Sequence, residues 1–181
     1  MSIAKYFDLA GQKAIVTGGS RGIGRAAAEV FHECGVETVI IGRSDELFDV
    51  ADILNKTSSK VHAVRADLSD RNERKRAFEE SLEKLGTIDI LVNNAGISIG
   101  ISAVECPIES WDMTLEINLT AVFELSRLAA RVMLEKRKGK IINVGSLHSF
   151  CGKRNTSAYA ASKGWVCDSF RHGKNWHYRN I

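Results

Sequence analysis

Tyr159 and Lys163 are the pair of residues in this sequence whose types and spacing best suit proton transfer. They lie four positions apart in a run of good helix formers, which predicts that both side chains share one face of a helix. A neighbouring positive charge favours the ionised form of a phenol, so the tyrosine is a candidate general acid or base toward an alcohol or carbonyl. The same spacing is common on solvated helix faces, so the pair needs support from other residues.

Two further polar residues follow apolar runs that we predict to be strands. Ser146 comes just after residues 140–144, and Asn93 comes just after residues 88–92. In open α/β sheets, ligands bind outside the carboxyl ends of the strands. We therefore expect both side chains at one edge of a sheet, in the same region as the tyrosine and the lysine.

The first predicted strand leads directly into a glycine-rich loop and then a helix. Glycine allows a sharp turn and a close approach of the backbone to a ligand, and free amides at the start of a helix suit a dinucleotide pyrophosphate. The spacing is G-x-x-x-G-x-G rather than G-x-G-x-x-G, so the position of the loop between strand and helix carries most of the weight. The cofactor-binding residues predicted in this loop are Thr17, Gly18, Ser20, Arg21, Gly22, Ile23 and Gly24.

Arg43, just after the second predicted strand, bears on the choice of cofactor. Folds that bind NAD usually place an acidic residue at this corner, where it accepts hydrogen bonds from the ribose hydroxyls. An arginine there, together with Arg21, would instead pair with a 2′-phosphate. The sequence therefore favours NADP(H), while contact between Asp45 and the ribose would favour NAD(H).

Apolar runs rich in β-branched residues alternate with helical stretches along the chain, a pattern typical of βαβ units. The predicted strands are residues 14–16, 38–41, 61–64, 88–92 and 140–144. The predicted helices are residues 23–34, 45–55, 70–85 and 111–138, the third with Asp70 and Glu73 at capping-box spacing. The pattern predicts an α/β fold, a Rossmann-type doubly wound parallel sheet with strand order 3-2-1-4-5.

The predicted helix over residues 111–138 is apolar on more than one face. Such a helix needs more than one packing partner. It is either wedged deeply against the sheet or also in contact with another subunit. We favour the second interpretation, which predicts a homo-oligomer.

Composition excludes several classes of protein. With 181 residues, 44% of them hydrophobic and 26% charged, the chain resembles one soluble globular domain. It has no apolar run of the ~20 residues that span a membrane and no signal peptide, which predicts a cytoplasmic protein with no membrane partner. The four scattered cysteines predict no metal site. The net charge of +3 resides in residues 160–181, and the acidic and basic residues of the rest of the chain are equal in number. This charge distribution does not suit a nucleic-acid-binding surface.

The order and approximate spacing of these motifs resemble the classical short-chain dehydrogenases/reductases. The resemblance rests on the glycine loop, the Asn-Asn-Ala-Gly run at residues 93–96, Asn118, Ser146 and the tyrosine–lysine pair. It implies hydride transfer between a nicotinamide cofactor and a carbon bearing a hydroxyl or carbonyl, coupled to proton transfer through Tyr159. The substrate would then be a small ketone or alcohol.

The resemblance also implies a role for each matched residue. Tyr159 would be the general acid or base, and Lys163 would hold the nicotinamide ribose and assist the phenol. Ser146 would orient the reacting oxygen, and Asn118 would position a water in a proton relay. The implied contacts on the adenosine side of the cofactor are Asp67, Leu68, Asn94, Ala95 and Gly96.

Within that family, residues 7–13 and 145–150 look like the sugar-acid branch, which includes gluconate 5-dehydrogenase and 2-deoxy-gluconate 3-dehydrogenase types. The 3-oxoacyl-carrier-protein reductases share most of the same motifs, including the arginine in the glycine loop, and remain the alternative. His148 and Arg154 are candidate contacts for a substrate carboxylate.

After Gly164 the sequence departs from the family's pattern. Residues 1–164 are the predicted dinucleotide-binding domain, and residues 165–181 are an atypical tail that looks like a poor helix. The family's last strands and substrate lid do not follow, so the chain resembles a truncated product whose fifth strand is an exposed edge. Two interpretations stay open: an active dehydrogenase, and a catalytically silent fragment that binds the dinucleotide.

Overall fold

The computed structural model describes residues 8–56 and 60–171, with side chains to residue 168. Its five strands form one sheet in the order β3-β2-β1-β4-β5, and all four pairings are parallel. The predicted α/β class and strand order are confirmed, with strand ends within two residues of the predictions. The strands are β1 Lys13–Thr17, β2 Glu37–Gly42, β3 Val61–Arg65, β4 Ile90–Asn93 and β5 Lys140–Asn143.

The chain reverses its direction of travel across the sheet beside β1. This strand pairs with β2 on one side and with β4 on the other, so that Val16 lies between Ile40 and Val92. The helices that follow β1 and β4 therefore leave on opposite faces, which opens a crevice at the carboxyl ends of these two strands. The glycine loop and the loop after β4 both begin at this crevice.

Both faces of the sheet are apolar because helices cover both. Alternate residues along β1 enter two separate hydrophobic clusters, Ile15 on one face and Val16 on the other, and both side chains are fully buried. Parallel strands buried on both faces consist of nearly continuous apolar residues. This explains why the strands were detectable as uninterrupted runs in the sequence.

Residues 8–56 and 60–171 form six α-helices around the sheet. They are α1 Gly22–Glu33, α2 Glu46–Leu54, α3 Arg71–Leu85, α4 Ile108–Leu115, α5 Ala121–Glu135 and α6 Ser157–Arg171. None of the helices in the described ranges is long and apolar enough to cross a bilayer.

The predicted capping box at α3 forms only in part. The Asp70 carboxylate accepts hydrogen bonds from the backbone N–H groups of Asn72 and Glu73, as expected for an N-cap residue. The carboxylate of Glu73, however, accepts from the N–H of Asp67 at 2.7 Å and not from that of Asp70. The box is therefore replaced by a bond that ties α3 to the loop after β3.

The single helix predicted over residues 111–138 is wrong in two respects. Helix α4 begins earlier, after Pro107, and a π-helical turn, Glu116–Thr120, separates α4 from α5. Sequence periodicity does not reveal a turn with one extra residue, because the apolar pattern continues on either side. Leu125, Ala129 and Met133 on α5 are buried against the sheet, while contact with a second subunit remains a prediction.

The poor helix predicted after Gly164 is also wrong for residues 165–171, which continue α6. Val166 is buried there and lines a small cavity of about 310 Å³ beside β5. Packing of this kind outweighs weak intrinsic helix propensity. The remainder of the predicted tail, residues 172–181, lies outside the described residues.

Candidate active site

Several glycines of the loop between β1 and α1 are required by the backbone conformation or by close packing. Gly18 and Gly22 have positive φ angles of 70° and 58°, a region that glycine adopts without strain. A Cβ atom added at Gly24 would lie 2.3 Å from the carbonyl oxygen of Gly18. The first turn of α1 can therefore approach the end of β1 only because residue 24 is glycine.

Thr17 and Asn94 hold this loop from behind. The Thr17 hydroxyl oxygen accepts hydrogen bonds from the N–H groups of Asn94 and Ala95, each at 3.0 Å. In return, Asn94 Nδ2 donates to the carbonyl oxygens of Thr17 at 2.9 Å and Gly18 at 3.2 Å. The loops after β1 and β4 are thereby joined into one rigid wall, a structural task for Asn94 that its sequence position did not indicate.

An open cleft of about 440 Å³ lies in front of this wall. Ten of the predicted cofactor-binding residues line it: Gly18, Ser20, Arg21, Ile23, Arg43, Asp67, Leu68, Asn94, Ala95 and Gly96. The other five predicted cofactor-binding residues are not in the lining: Thr17, Gly22 and Gly24, which belong to the loop behind it, and Tyr159 and Lys163. No sequence signal marked the further lining residues Gly42, Ser44, Glu46, Ala66, Ile97 and Ile117.

The cleft fits a dinucleotide on two observations. Gly24 leaves the start of α1 without a side chain that would fill the turn, and the N-cap residue of this helix, Arg21, makes no side-chain capping bond. Backbone amides at an uncapped helix start are suited to an anionic pyrophosphate.

The corner of the cleft after β2 carries opposed charges. Arg43 lies 3.6 Å from the Asp67 carboxylate, and its side chain is 76% exposed. The Ser69 N–H, which donates to Asp67 Oδ1 at 2.9 Å, holds the pKa of that carboxyl below its usual value; partial burial opposes this shift and Arg43 adds to it. Asp45, the alternative ribose contact, pairs instead with Arg65 at 2.8 Å.

Asn118 joins three parts of the site. Its side chain is fully buried in the π-helical turn. Its Oδ1 accepts from the N–H of Ile97 at 2.8 Å, and its Nδ2 donates both to the Ile97 carbonyl oxygen at 2.8 Å and to Ser162 Oγ at 3.1 Å. Ser162 Oγ in turn donates to the carbonyl oxygen of Tyr159, so the amide links the loop after β4 to α6.

Lys163 is a buried cation at the carboxyl end of β5. It is 4% exposed, and its Nζ donates to the carbonyl oxygen of Val144 at 2.7 Å. Burial lowers the pKa of this ammonium group from its ordinary value. A Cβ atom added at Gly96 would lie 3.7 Å from Nζ, so the charge sits beside the lining of the cleft.

Ser146 and Tyr159 both adjoin a short 3-10 turn, Leu147–Ser149. Ser146 caps this turn, and its Oγ accepts from the N–H of His148 at 3.1 Å. The ring of His148 packs edge-to-face on the half-buried ring of Tyr159, with centroids 5.9 Å apart. The proposed carboxylate contact His148 thus lies beside the tyrosine, whereas Arg154 is exposed.

A glycine cradle for a dinucleotide therefore shares one sheet edge with a serine, a tyrosine, a buried lysine and a buried asparagine. A glycine loop between strand and helix at the crevice of an open parallel sheet is the arrangement of dinucleotide-binding α/β proteins, and the neighbouring polar groups are of types that can transfer protons. The short-chain dehydrogenase family model matches residues 12–179, so the chain belongs to this family. The match continues past Gly164, where the resemblance found by motif ended.

Curated proteins and solved structures give the same assignment. An uncharacterized oxidoreductase of Thermotoga maritima is 36% identical over 86% of this chain and 61% of its own length. A 3-oxoacyl-[acyl-carrier-protein] reductase of Aquifex aeolicus is 36% identical over 86% of this chain and 63% of its own. A crystal structure from Beutenbergia cavernae, provisionally described as an NAD(P)-dependent gluconate 5-dehydrogenase with NADP bound at low occupancy, matches with a TM-score of 0.86 and 40% identity, covering 91% of this chain and 66% of that one.

The chain spans about three fifths of the length of the curated relatives it matches. Residues 12–179, which the family model matches, contain the glycine loop, the loop after β4, the π-helical turn and α6.

Proposed function

We propose that this protein is an NAD(P)-dependent oxidoreductase that favours NADP(H) and interconverts a ketone and an alcohol. The observation that carries the proposal is the glycine loop beside a cleft that Arg43 lines, with the buried Lys163 next to Gly96 of the same lining. The loop amides would hold the pyrophosphate, and Arg43 with Arg21 would pair with a 2′-phosphate. Asp67 and Leu68 would contact the adenosine.

Four polar side chains, those of Asn118, Ser146, Tyr159 and Lys163, would carry out or assist proton transfer. When bound, the nicotinamide would accept or donate the hydride. Tyr159 would pass a proton to or from the substrate oxygen, and Ser146 would orient that oxygen by a hydrogen bond. Lys163 would contact the ribose and favour the phenolate form of the tyrosine, while Asn118 would hold a water for the proton relay.

Burial of the lysine supports this assignment. A desolvated ammonium group is costly unless its charge is used or well paired. Within the described residues, the Nζ of Lys163 has the Val144 carbonyl as its hydrogen-bond acceptor, although an ammonium group carries three donors. The remaining donors suit ribose hydroxyls in the adjacent cleft.

We propose a sugar acid as the substrate class. The similarity to the Beutenbergia cavernae protein described as a gluconate 5-dehydrogenase supports this choice, as does the position of His148 beside the Tyr159 ring, where an imidazole can face a carboxylate. The similarity to the Aquifex aeolicus reductase supports a 3-oxoacyl thioester as the second candidate.

The test is a binding titration followed by a turnover assay. We expect NADPH to quench the intrinsic fluorescence and to bind more tightly than NADH. We then expect NADPH to be consumed with a keto sugar acid, and more slowly with a 3-oxoacyl thioester or a simple ketone. Failure to bind either nucleotide would refute the proposal, binding without any turnover would leave a silent dinucleotide-binding protein, and preference for the thioester would select the second substrate class.

Replacing Arg43 with alanine tests the cofactor preference. We expect Arg43→Ala to weaken NADPH binding by about tenfold and NADH binding little, because a charge-assisted bond to the 2′-phosphate is lost only with NADPH. Arg131→Ala is the matched control, since it removes the same charge from an exposed position on α5 outside the cleft lining. If Arg43→Ala weakened the binding of both nucleotides equally, the arginine would not be a contact for the 2′-phosphate.

A further inference from the structure

Arg74 on α3 is the most deeply buried charged side chain in the described part of the chain, at 1% exposed. The proposed mechanism makes no use of it. A buried guanidinium is costly unless its donors and its charge are both satisfied. Its neighbours should therefore explain why an arginine stands at this position.

The guanidinium bonds three separate segments. Nη1 donates to the carbonyl oxygen of Leu68 at 2.6 Å, Nη2 to Glu116 Oε1 at 2.6 Å and Nε to Glu124 Oε2 at 2.9 Å. The other oxygen of Glu124 pairs with Arg71 at 3.0 Å, so two cations and two carboxylates balance. The planar guanidinium presents five donors in a fixed fork, and here three of its nitrogen atoms bond acceptors on three segments.

One of the two carboxylates belongs to the π-helical turn and the other to the helix that follows it. Glu116 is the first residue of this turn, and Glu124 lies on α5 just after it. A π-helical turn accommodates one extra residue in a helix; such turns are rare and are frequently found at functional sites. A side chain from α3 that bonds the first residue of the turn and the helix after it would fix where the extra residue is placed.

The position of the extra residue decides where Asn118 points. This side chain fills a confined space, because a Cβ atom added at Gly96 would already lie 3.1 Å from its Oδ1. A shift of the turn by one residue would break the bonds from Asn118 to Ile97 and Ser162. The third acceptor of Arg74, the Leu68 carbonyl, belongs to a residue that lines the adenosine side of the cleft.

We propose that Arg74 is a positioning residue: through Glu116 and Glu124 it fixes the π-helical turn so that Asn118 joins the loop after β4 to α6, and through Leu68 it ties this turn to the adenosine wall. The consequence for proton transfer rests on the proposed function. The set of bonds from Arg74 to Glu116, Glu124 and Leu68, which we call the clamp, does not depend on that function, and it can be tested without measuring turnover.

Hydrogen exchange of the full chain tests the clamp directly. In Arg74→Met we expect the amides of residues 116–120, and the Ile97 N–H that donates to Asn118, to exchange at least about tenfold faster relative to the amides of β1. Leu85→Ala is the matched control, since it removes a buried side chain from the same helix without touching the turn. Arg74→Lys, which keeps the charge but not the fork, should give an intermediate rate.

A second variant removes the risk that two unpaired carboxylates simply unfold the protein. The triple variant Arg74→Met, Glu116→Gln, Glu124→Gln leaves no buried charge uncompensated at the cluster, because Arg71, which loses its partner Glu124, has a side chain that is 72% exposed to solvent. We expect it to unfold at a denaturant concentration close to that of Leu85→Ala, yet to keep the fast exchange at residues 116–120. Exchange at these residues that rises no more than in Leu85→Ala, in both variants, would overturn the proposal.

Turnover measurements separate this proposal from the proposed function. If the unaltered protein turns over, we expect Arg74→Met to lower kcat by about tenfold or more while changing the KM for a substrate by less, because the relay is displaced and not the binding cleft. If the unaltered protein does not turn over but the exchange result holds, the clamp stands and the dehydrogenase proposal fails. Exchange like the control together with normal turnover would refute the clamp alone.

Discussion

Replacing Tyr159 with phenylalanine is expected to lower turnover by about 10²–10⁴-fold while leaving NADPH affinity within about twofold. The substitution removes one hydroxyl oxygen and keeps the ring that packs edge-to-face on His148. The backbone carbonyl of residue 159 still accepts from Ser162 Oγ, so the link to Asn118 survives. Only the proton donor or acceptor is lost. The measurement is kcat and KM at several pH values, with nucleotide affinity from a separate titration.

Ser157→Ala is the matched control for this experiment. It removes a hydroxyl from an exposed position at the start of the same helix, α6, and should leave both turnover and affinity unchanged. Undiminished turnover in Tyr159→Phe would exclude the tyrosine as the proton-transfer group. A loss of NADPH binding as large as the loss of turnover would instead assign it a binding role.

Replacing Gly24 with alanine is expected to weaken binding of both nucleotides by at least about 100-fold, equivalent to about 2.8 kcal/mol. The added Cβ would lie 2.3 Å from the Gly18 carbonyl oxygen and 2.4 Å from Asn94 Nδ2, far inside van der Waals contact. The start of α1 must then move away from the loop, which separates the helix amides from the site of the pyrophosphate. The measurement is a titration with NADPH and NADH.

Gly100→Ala is the control for the glycine experiment. Gly100 lies in the loop after β4, and a Cβ atom added there would meet no atom within 4 Å. We expect this variant to bind nucleotide normally. Circular dichroism of both variants separates local displacement of α1 from loss of the fold. A folded Gly24→Ala protein with normal affinity would show that the cradle is not the nucleotide site.

Much of this molecule was predictable because its local sequence signals agree with its fold. The central strands β1, β2 and β4 are buried on both faces, so each appears as a nearly unbroken apolar run. The glycine loop is set between a strand and a helix. Tyr159 and Lys163 share a helix face whatever surrounds them. The placement of Ser146 follows from its position at the end of β5.

The positions of the remaining groups depend on contacts between distant parts of the chain. The apolar periodicity of the sequence does not mark the π-helical turn. The turn contains one extra residue, and hydrogen bonds from other segments of the chain hold it in place. Asn118 bonds Ile97 and Ser162, and Arg74 bonds Glu116 and Glu124. Residues 165–171 remain helical through packing that their propensities do not express.

The sequence by itself determined the strand order, the glycine loop and the types of side chain available for proton transfer, since these follow from local pattern and from the handedness of parallel connections. The tertiary structure alone decided that the lysine is buried against Val144, that Asn94 braces the glycine loop, and that a buried arginine grips the turn carrying Asn118. The physical reason is that hydrogen bonds and desolvation depend on which distant atoms come together, and linear spacing does not encode those distances.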